Sequence, residues 1–269
     1  MRLTGLLAAL FLPCLLHADE AEKTLDVRLI SETRNISAGK PFVLGLHLVH
    51  PPGSHTYWKN PGIVGVATSV EWELPPGFSA GEIQWPAPQV VKMASYDAQG
   101  YEGETLLMIP ITPPERLTAA SVTLAAKVSW MCCGKTCNPA AKIPFSITLP
   151  VAGSSEIDPS THPLFGKFRA LVPRCDPAWK SSVAREPGKI VLTLKPSVQI
   201  SNITEIHFFT ADGQVDSNQK QSVEILSDGV IRMTLLSSET TAKKSRTLPG
   251  VVRLASGDLR FQLEIDPAF

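Results

Sequence analysis

The stretch Val122-Thr123-Leu124-Ala125-Ala126-Lys127-Val128-Ser129-Trp130 decides the fold class. Val122, Leu124, Ala126, Val128 and Trp130 fall on one side, and Thr123, Ala125, Lys127 and Ser129 on the other. That period of two is the pattern of a strand with one buried face. The same alternation recurs in Phe42, Leu44, Leu46 and Leu48, in Val70, Trp72 and Leu74, and in Ile143, Phe145, Ile147 and Leu149. Turn formers separate these runs: Pro51-Pro52-Gly53, Pro61-Gly62, Pro75-Pro76-Gly77 and Pro113-Pro114. The 23 prolines disfavour long helices and suit short strands joined by loops. Residues 24–150 therefore read as an immunoglobulin-like β-sandwich.

Downstream, Val151-Ala152-Gly153-Ser154-Ser155 reads as a linker, and His162 to Val172 as the one notable helix, with Leu164, Phe165, Phe168 and Leu171 on one side. Strand patterns then resume at Ile190-Leu192-Leu194, Ile203 to Phe209, Ile231-Met233-Leu235, Val251-Val252 and Leu259-Phe261-Leu263-Ile265. Asp212-Gly213 and Asp228-Gly229 mark tight turns. The expected fold is all-β, with the sandwich domain over residues 19–152 and a second, smaller β domain over 153–269.

The N-terminus reads as a signal peptide over residues 1–18. Arg2 supplies the positive start, Leu3 to Leu16 the apolar run, and Ala18 a small residue before Asp19-Glu20. Beyond Asp19 no apolar run approaches the roughly 18 residues that would span a bilayer. Lys and Arg total 25, as do Asp and Glu, so the net charge of zero gives no reason to expect a nucleic-acid or anionic-membrane partner. Secretion places the chain where cysteines can pair. Of its five cysteines, Cys132, Cys133, Cys137 and Cys175 lie beyond the signal peptide. A chain of this length can bury a core without disulfide staples, which favours a chemical use for a pair.

Three of those cysteines fall in Trp130-Met131-Cys132-Cys133-Gly134-Lys135-Thr136-Cys137-Asn138-Pro139, where a strand runs into turn formers. A bond from Cys133 to Cys137 closes so short a loop that it removes little entropy from the unfolded chain. Lys135 between them favours a thiolate. Thiol–disulfide exchange suits these features. A structural disulfide, a soft-metal site built from the thiolates with Met131 or a histidine, and inert thiols stand as alternatives.

This segment and its surroundings resemble the N-terminal periplasmic part of the DsbD/ScsB family of thiol:disulfide interchange proteins. The resemblance is carried by His55-Thr56-Tyr57-Trp58-Lys59-Asn60-Pro61-Gly62, Glu71-Trp72-Glu73-Leu74-Pro75, Ile83-Gln84-Trp85-Pro86-Ala87-Pro88 and Gly100-Tyr101-Glu102-Gly103-Glu104. Pro110-Ile111-Thr112-Pro113-Pro114 and Val128-Ser129-Trp130 continue the series into the cysteine loop. Residues 203–265 resemble, more loosely, the region that follows in ScsB-like members.

The resemblance implies a periplasmic module whose catalytic residues are Cys133 and Cys137, with Cys137 forming the mixed disulfide and Cys133 resolving it. It also implies a membrane-embedded thiol–disulfide electron donor and client proteins with oxidised cysteines as partners, and no cofactor. Cys132 stands where members carry an apolar residue; it is open to scrambling with the pair or to bridging Cys175. Tyr96 to Glu102 falls where the family has a cap loop, with Gly100 as its pivot and Tyr96 and Tyr101 either as its shields or packed against the sheet. Full-length members continue into a membrane domain and a thioredoxin-like domain, which this sequence lacks, so the expectation is either a separate membrane protein that supplies the electrons or a domain reused for binding or redox sensing.

A copper-binding or copper-tolerance role is the rival function. It draws on Met131, the clustered cysteines and His47, His50 and His55, although His47 falls on the polar side of its strand. A non-catalytic binding domain with a structural disulfide is the other rival. Trp58, Trp72, Trp85 and Trp130 are expected in the core rather than on a sugar-binding platform.

Overall fold

The computed structural model describes residues 24–197, 200–239 and 245–269, so the expected signal peptide lies outside the described residues. The first half contains β1 (Asp26–Ser31), β2 (Phe42–Val49), β3 (His55–Gly62), β4 (Ser69–Glu73), β5 (Ser79–Ala80), β6 (Gln89–Met93), β7 (Tyr96–Glu102), β8 (Glu104–Thr112), β9 (Ser121–Cys133) and β10 (Cys137–Pro150). The helix α1 (His162–Arg169) follows. The second half contains β11 (Trp179–Glu186), β12 (Lys189–Pro196), β13 (Ile203–Thr210), β14 (Ser222–Ile225), β15 (Ile231–Leu236), β16 (Gly250–Ser256) and β17 (Leu259–Ile265). The fold is all-β, as the alternation predicts. No helix among the described residues is long and apolar enough to cross a membrane.

Two antiparallel sheets, in the orders β1-β2-β8-β5 and β10-β9-β3-β7-β6, make the first sandwich, and β4 adds to β9. The inward residues of β9 are those the sequence selects: Val122, Leu124, Ala126 and Val128 are all buried. They meet Phe42, Leu44, Ile109 and Ile111 towards one end of the sandwich. Towards the other they meet Leu46, Leu48, Leu107, Trp58 and Tyr101. Trp58 is buried and Trp72, Trp85 and Trp130 are partly buried against the same core, so none forms an exposed platform.

The stretch expected as a linker is held rather than loose. Ala152 donates its N–H to the Ile36 carbonyl, and Asp158 to that of Glu32. The helix is shorter than expected and closes on the same sandwich. Pro163 sits in its first turn, where a missing N–H costs nothing, and Phe165 and Phe168 bury themselves on Leu106 and Met108. A Cβ on Gly45 would lie 2.6 Å from Leu106 and 3.0 Å from the Phe165 ring, so glycine is what lets the helix approach. Leu171 falls beyond the helix end and is exposed.

Sheets β11-β12-β15-β14 and β13-β16-β17 form the second half. Ile190, Leu192, Leu194, Ile231, Met233 and Leu235, the alternating residues of β12 and β15, are its fully buried centre. The two halves share a contact. Phe209 and Val251 pack with Trp58, Tyr101 and Val128, and the Thr210 carbonyl accepts from Asn60 Nδ2 (2.8 Å) and Gln99 Nε2 (3.0 Å).

His207 stands beside this contact, its ring 4.5 Å from that of Phe209. Burial, with Arg253 nearby and Asp97 opposing, pushes its pKa down to about 4. The neutral ring accepts from the Gln221 amide at 3.1 Å. An unfolded chain takes that proton near pH 6.5, so the stability that neutral His207 contributes is present above pH 6.5 and lost as pH falls towards 4. The expected loss is up to about 3 kcal/mol, and it should show as a lower urea midpoint at pH 4.5 than at pH 7.5. His207→Gln should flatten that dependence; an unaltered slope would count against the assignment.

Candidate functional site: a disulfide at a hairpin tip

Strands β9 and β10 pair from Ser121 opposite Pro150 to Cys133 opposite Cys137, with a break in register between Ala140 and Ile143. Three exposed residues, Gly134, Lys135 and Thr136, turn the chain, and Gly134 N–H donates to the Thr136 carbonyl at 2.8 Å. Register alone brings the two cysteines to a Cα separation of 4.1 Å, and they form a disulfide. The tip rests on the turn before β3: a Cβ on Gly134 would lie 2.7 Å from Ser54 Oγ.

The two sulfurs have different surroundings. Cys133 is 1% exposed, whereas Cys137 is exposed. Cys133 is buried with Tyr57 of β3, Val91 of β6 and Ala98 of β7, and Val64, Met93 and Met131 close the cluster. Gly65 lets the loop carrying Val64 lie on the Tyr57 ring, since a Cβ there would sit 2.2 Å from that ring, and its φ of +101° is one that other residues rarely adopt. His55, directly opposite Cys133 in β3, is also buried. An incoming thiolate or disulfide therefore meets Cys137, while Cys133 is screened by its own sheet.

Cys132 points to the other side of the strand as a buried thiol, and Cys175 is an exposed thiol elsewhere, so no bridge joins them. The expected cap loop needs correction. Tyr96 to Glu102 is strand β7, paired with β3 and β6. Tyr101 lies in the sandwich core, donating to the Pro86 carbonyl at 2.7 Å, and Tyr96 is exposed. The screen comes instead from Tyr57, Val64, Val91, Met93 and Ala98. Their role is invisible in the sequence, because it depends on which strands become neighbours.

Gly100 is no pivot either. A Cβ there would lie 2.1 Å from the Thr56 carbonyl oxygen, a backbone atom fixed by the β3–β7 pairing. Gly100→Ala is expected to cost about 1–3 kcal/mol and to loosen the strand carrying His55 and Tyr57. Urea denaturation and the rate at which dithiothreitol reduces the disulfide measure both effects; no change in either would contradict this reading.

The three clustered histidines go separate ways. His47 Nε2 lies 3.1 Å from Glu104, and His50 bonds the Gly103 carbonyl and Thr56 Oγ1. His55 Nε2 lies 3.2 Å from Tyr57 Oη. Among the described residues no group of three or more His, Cys, Asp or Glu side chains is placed to hold a metal ion.

Residues 26–148 match the family model described as thiol:disulfide interchange protein DsbD, N-terminal. Residues 26–148 belong to the DsbD N-terminal domain family. The disulfide lies inside this DsbD segment, at the end of its longest hairpin. The fold of the chain is also similar to that of the N-terminal periplasmic domain of ScsB from Proteus mirabilis. The TM-score is 0.63 at 15% identity, covering 86% of this chain and 90% of that one. That likeness extends past the DsbD segment into the second β half. A protein of unknown function from Porphyromonas gingivalis W83 aligns over 91% of this chain and 99% of its own at 10% identity, with a TM-score of only 0.27. No curated protein matches the sequence.

Proposed function

We propose that this protein is a periplasmic thiol–disulfide exchange module, in which the Cys133–Cys137 pair passes electrons from a membrane-embedded thiol donor to client proteins with disulfides. The observation that carries the proposal is the unequal exposure of the two sulfurs in a DsbD N-terminal domain. Exchange requires one sulfur that a partner reaches and a second that the partner does not compete for.

In the reduced protein the Cys137 thiolate attacks a client disulfide. A Cys137–client bond forms, and the client's other sulfur leaves as a thiolate. Cys133 then attacks Cys137, the Cys133–Cys137 bond re-forms, and the second client sulfur leaves. Two electrons and two protons pass to the client, and the donor returns them to the module by the reverse exchange. No cofactor enters this scheme.

Residues 19–152 are proposed as the redox domain and 153–269 as a second domain bracing β3 and β7 through Phe209 and Thr210. The expected signal peptide and the likeness to the periplasmic domain of ScsB support the compartment. The test is to mix the reduced full chain with an excess of a disulfide-bonded peptide. Release of two peptide thiols per protein, with Cys133 and Cys137 oxidised to each other, is the expected result; no thiol release would refute the proposal.

A further inference from the structure

One buried titratable group beside the disulfide takes no part in the scheme above. Four residues form a row across four strands: Glu102 of β7 opposite His55 of β3, His55 opposite Cys133 of β9, and Cys133 opposite Cys137 of β10. Residues directly opposite in antiparallel strands share a face, with Cβ atoms about 4.5–5.5 Å apart. His55 is thus the side chain next to Cys133 on the side away from Cys137.

Its surroundings suit proton transfer rather than solvent exposure. The residue is 1% exposed, and its ring meets that of Tyr57 edge-on at 5.1 Å and 85°. The bond between Nε2 and Tyr57 Oη occupies one nitrogen, which leaves Nδ1 as the ring position for a second bond. We propose that in the reduced protein His55 accepts the Cys133 proton at Nδ1 and so holds Cys133 as the thiolate that releases the client. The inference rests on the exchange reading given above.

Cys133 loses its proton to His55, and the thiolate attacks Cys137 in the mixed disulfide. The Cys133–Cys137 bond forms as the Cys137–client bond breaks, and the departing client sulfur takes the proton back from His55. Burial lowers the pKa of His55 from its ordinary value, so the ring is neutral beside the closed disulfide. A thiolate arriving next to it opposes that shift, because the two opposite charges stabilise each other. The other titratable groups facing His55 are Tyr57 on its own strand, Glu102 from β7 and His50 before β3, whose own pKa is lowered partly by His55. Tyr57 itself is pushed up by burial and by Cys132, so it stays protonated.

The experiment loads Cys137 of the full chain with glutathione and follows the intramolecular release of glutathione from pH 5 to 9, for wild type and His55→Gln. In the wild type the rate should be nearly flat above about pH 7. In His55→Gln it should climb about tenfold per pH unit towards an ordinary thiol pKa of about 8.5. A thiol of that pKa is about 3% ionised at pH 7, so the variant should be about 30-fold slower there. Superimposable profiles would overturn the inference and leave the exchange reading intact. Should the wild type neither form nor resolve the glutathione adduct, both fail. A second measurement needs no variant: the NMR titration midpoint of the His55 ring should rise when wild-type protein is reduced, and an unchanged midpoint also overturns the inference.

Discussion

Cys133→Ser is expected to turn the protein into a trap. Cys137 is the exposed sulfur, so the variant still attacks a client disulfide, but the residue that resolves the adduct is gone. Cys137-linked mixed disulfides should accumulate to near stoichiometry with a disulfide-bonded peptide and persist until an external thiol is added. Cys137→Ser should behave oppositely. Its remaining thiol, Cys133, is 1% exposed and enclosed by Tyr57, Val91 and Ala98, so adduct formation should fall by at least about 100-fold, since exchange rates depend on access to the sulfur. Non-reducing electrophoresis with peptide mapping reads both variants. Equal adduct yields would show that the difference in exposure does not direct the chemistry. The folded state itself should survive either change, because a disulfide closing a loop this short contributes little to stability.

Phe209→Ala is expected to have the largest effect on stability, about 3–5 kcal/mol. Phe209 is 2% exposed and packs, with Val251, against Trp58, Tyr101 and Val128 of the first sandwich. Its removal leaves a cavity between the halves that neither backbone can close, because the strand edges are tied by Asn60 and Gln99 to the Thr210 carbonyl. The loss should appear in urea denaturation followed by tryptophan fluorescence, since Trp58 lines the same cluster. Wild type is expected to unfold in one transition and the variant in two. A loss below about 1 kcal/mol, within the range of ordinary surface substitutions, would mean that Phe209 does not tie the halves together.

These expectations rest unequally on sequence. The β-sandwich was legible because one face of each strand is buried, so Val122, Leu124, Ala126 and Val128 announce their side by alternation alone. The cysteine hairpin was legible in part: Gly134 after a strong strand pattern marks the turn, whereas Asn138 and Pro139, which read as turn formers, lie in β10 opposite Cys132 and Met131. Strands β6 and β7 were not. β6 is too short an edge strand to show a pattern, and in β7 Ala98, Gln99, Gly100 and Tyr101 are all buried, so no period of two survives there. The loop expectation for Tyr96 to Glu102 came from the family resemblance rather than from its own pattern. The position of His55 beside Cys133 follows from a single register pairing between residues 78 positions apart, which no local pattern encodes. The Val151 to Ser155 segment read as a linker from its small residues, yet Val151 and Ala152 donate their N–H groups to the Ala120 and Ile36 carbonyls, a long-range pairing that composition does not reveal.

The central claim is that Cys133 and Cys137 form a reversible redox couple rather than a permanent staple. Equilibration of the full chain in glutathione or dithiothreitol buffers, with thiols trapped and mapped by mass spectrometry, measures it directly. The account predicts a two-electron couple between these two residues in the roughly −180 to −270 mV range of exchange proteins. A pair that stays oxidised below about −300 mV would contradict it and mark the bond as structural.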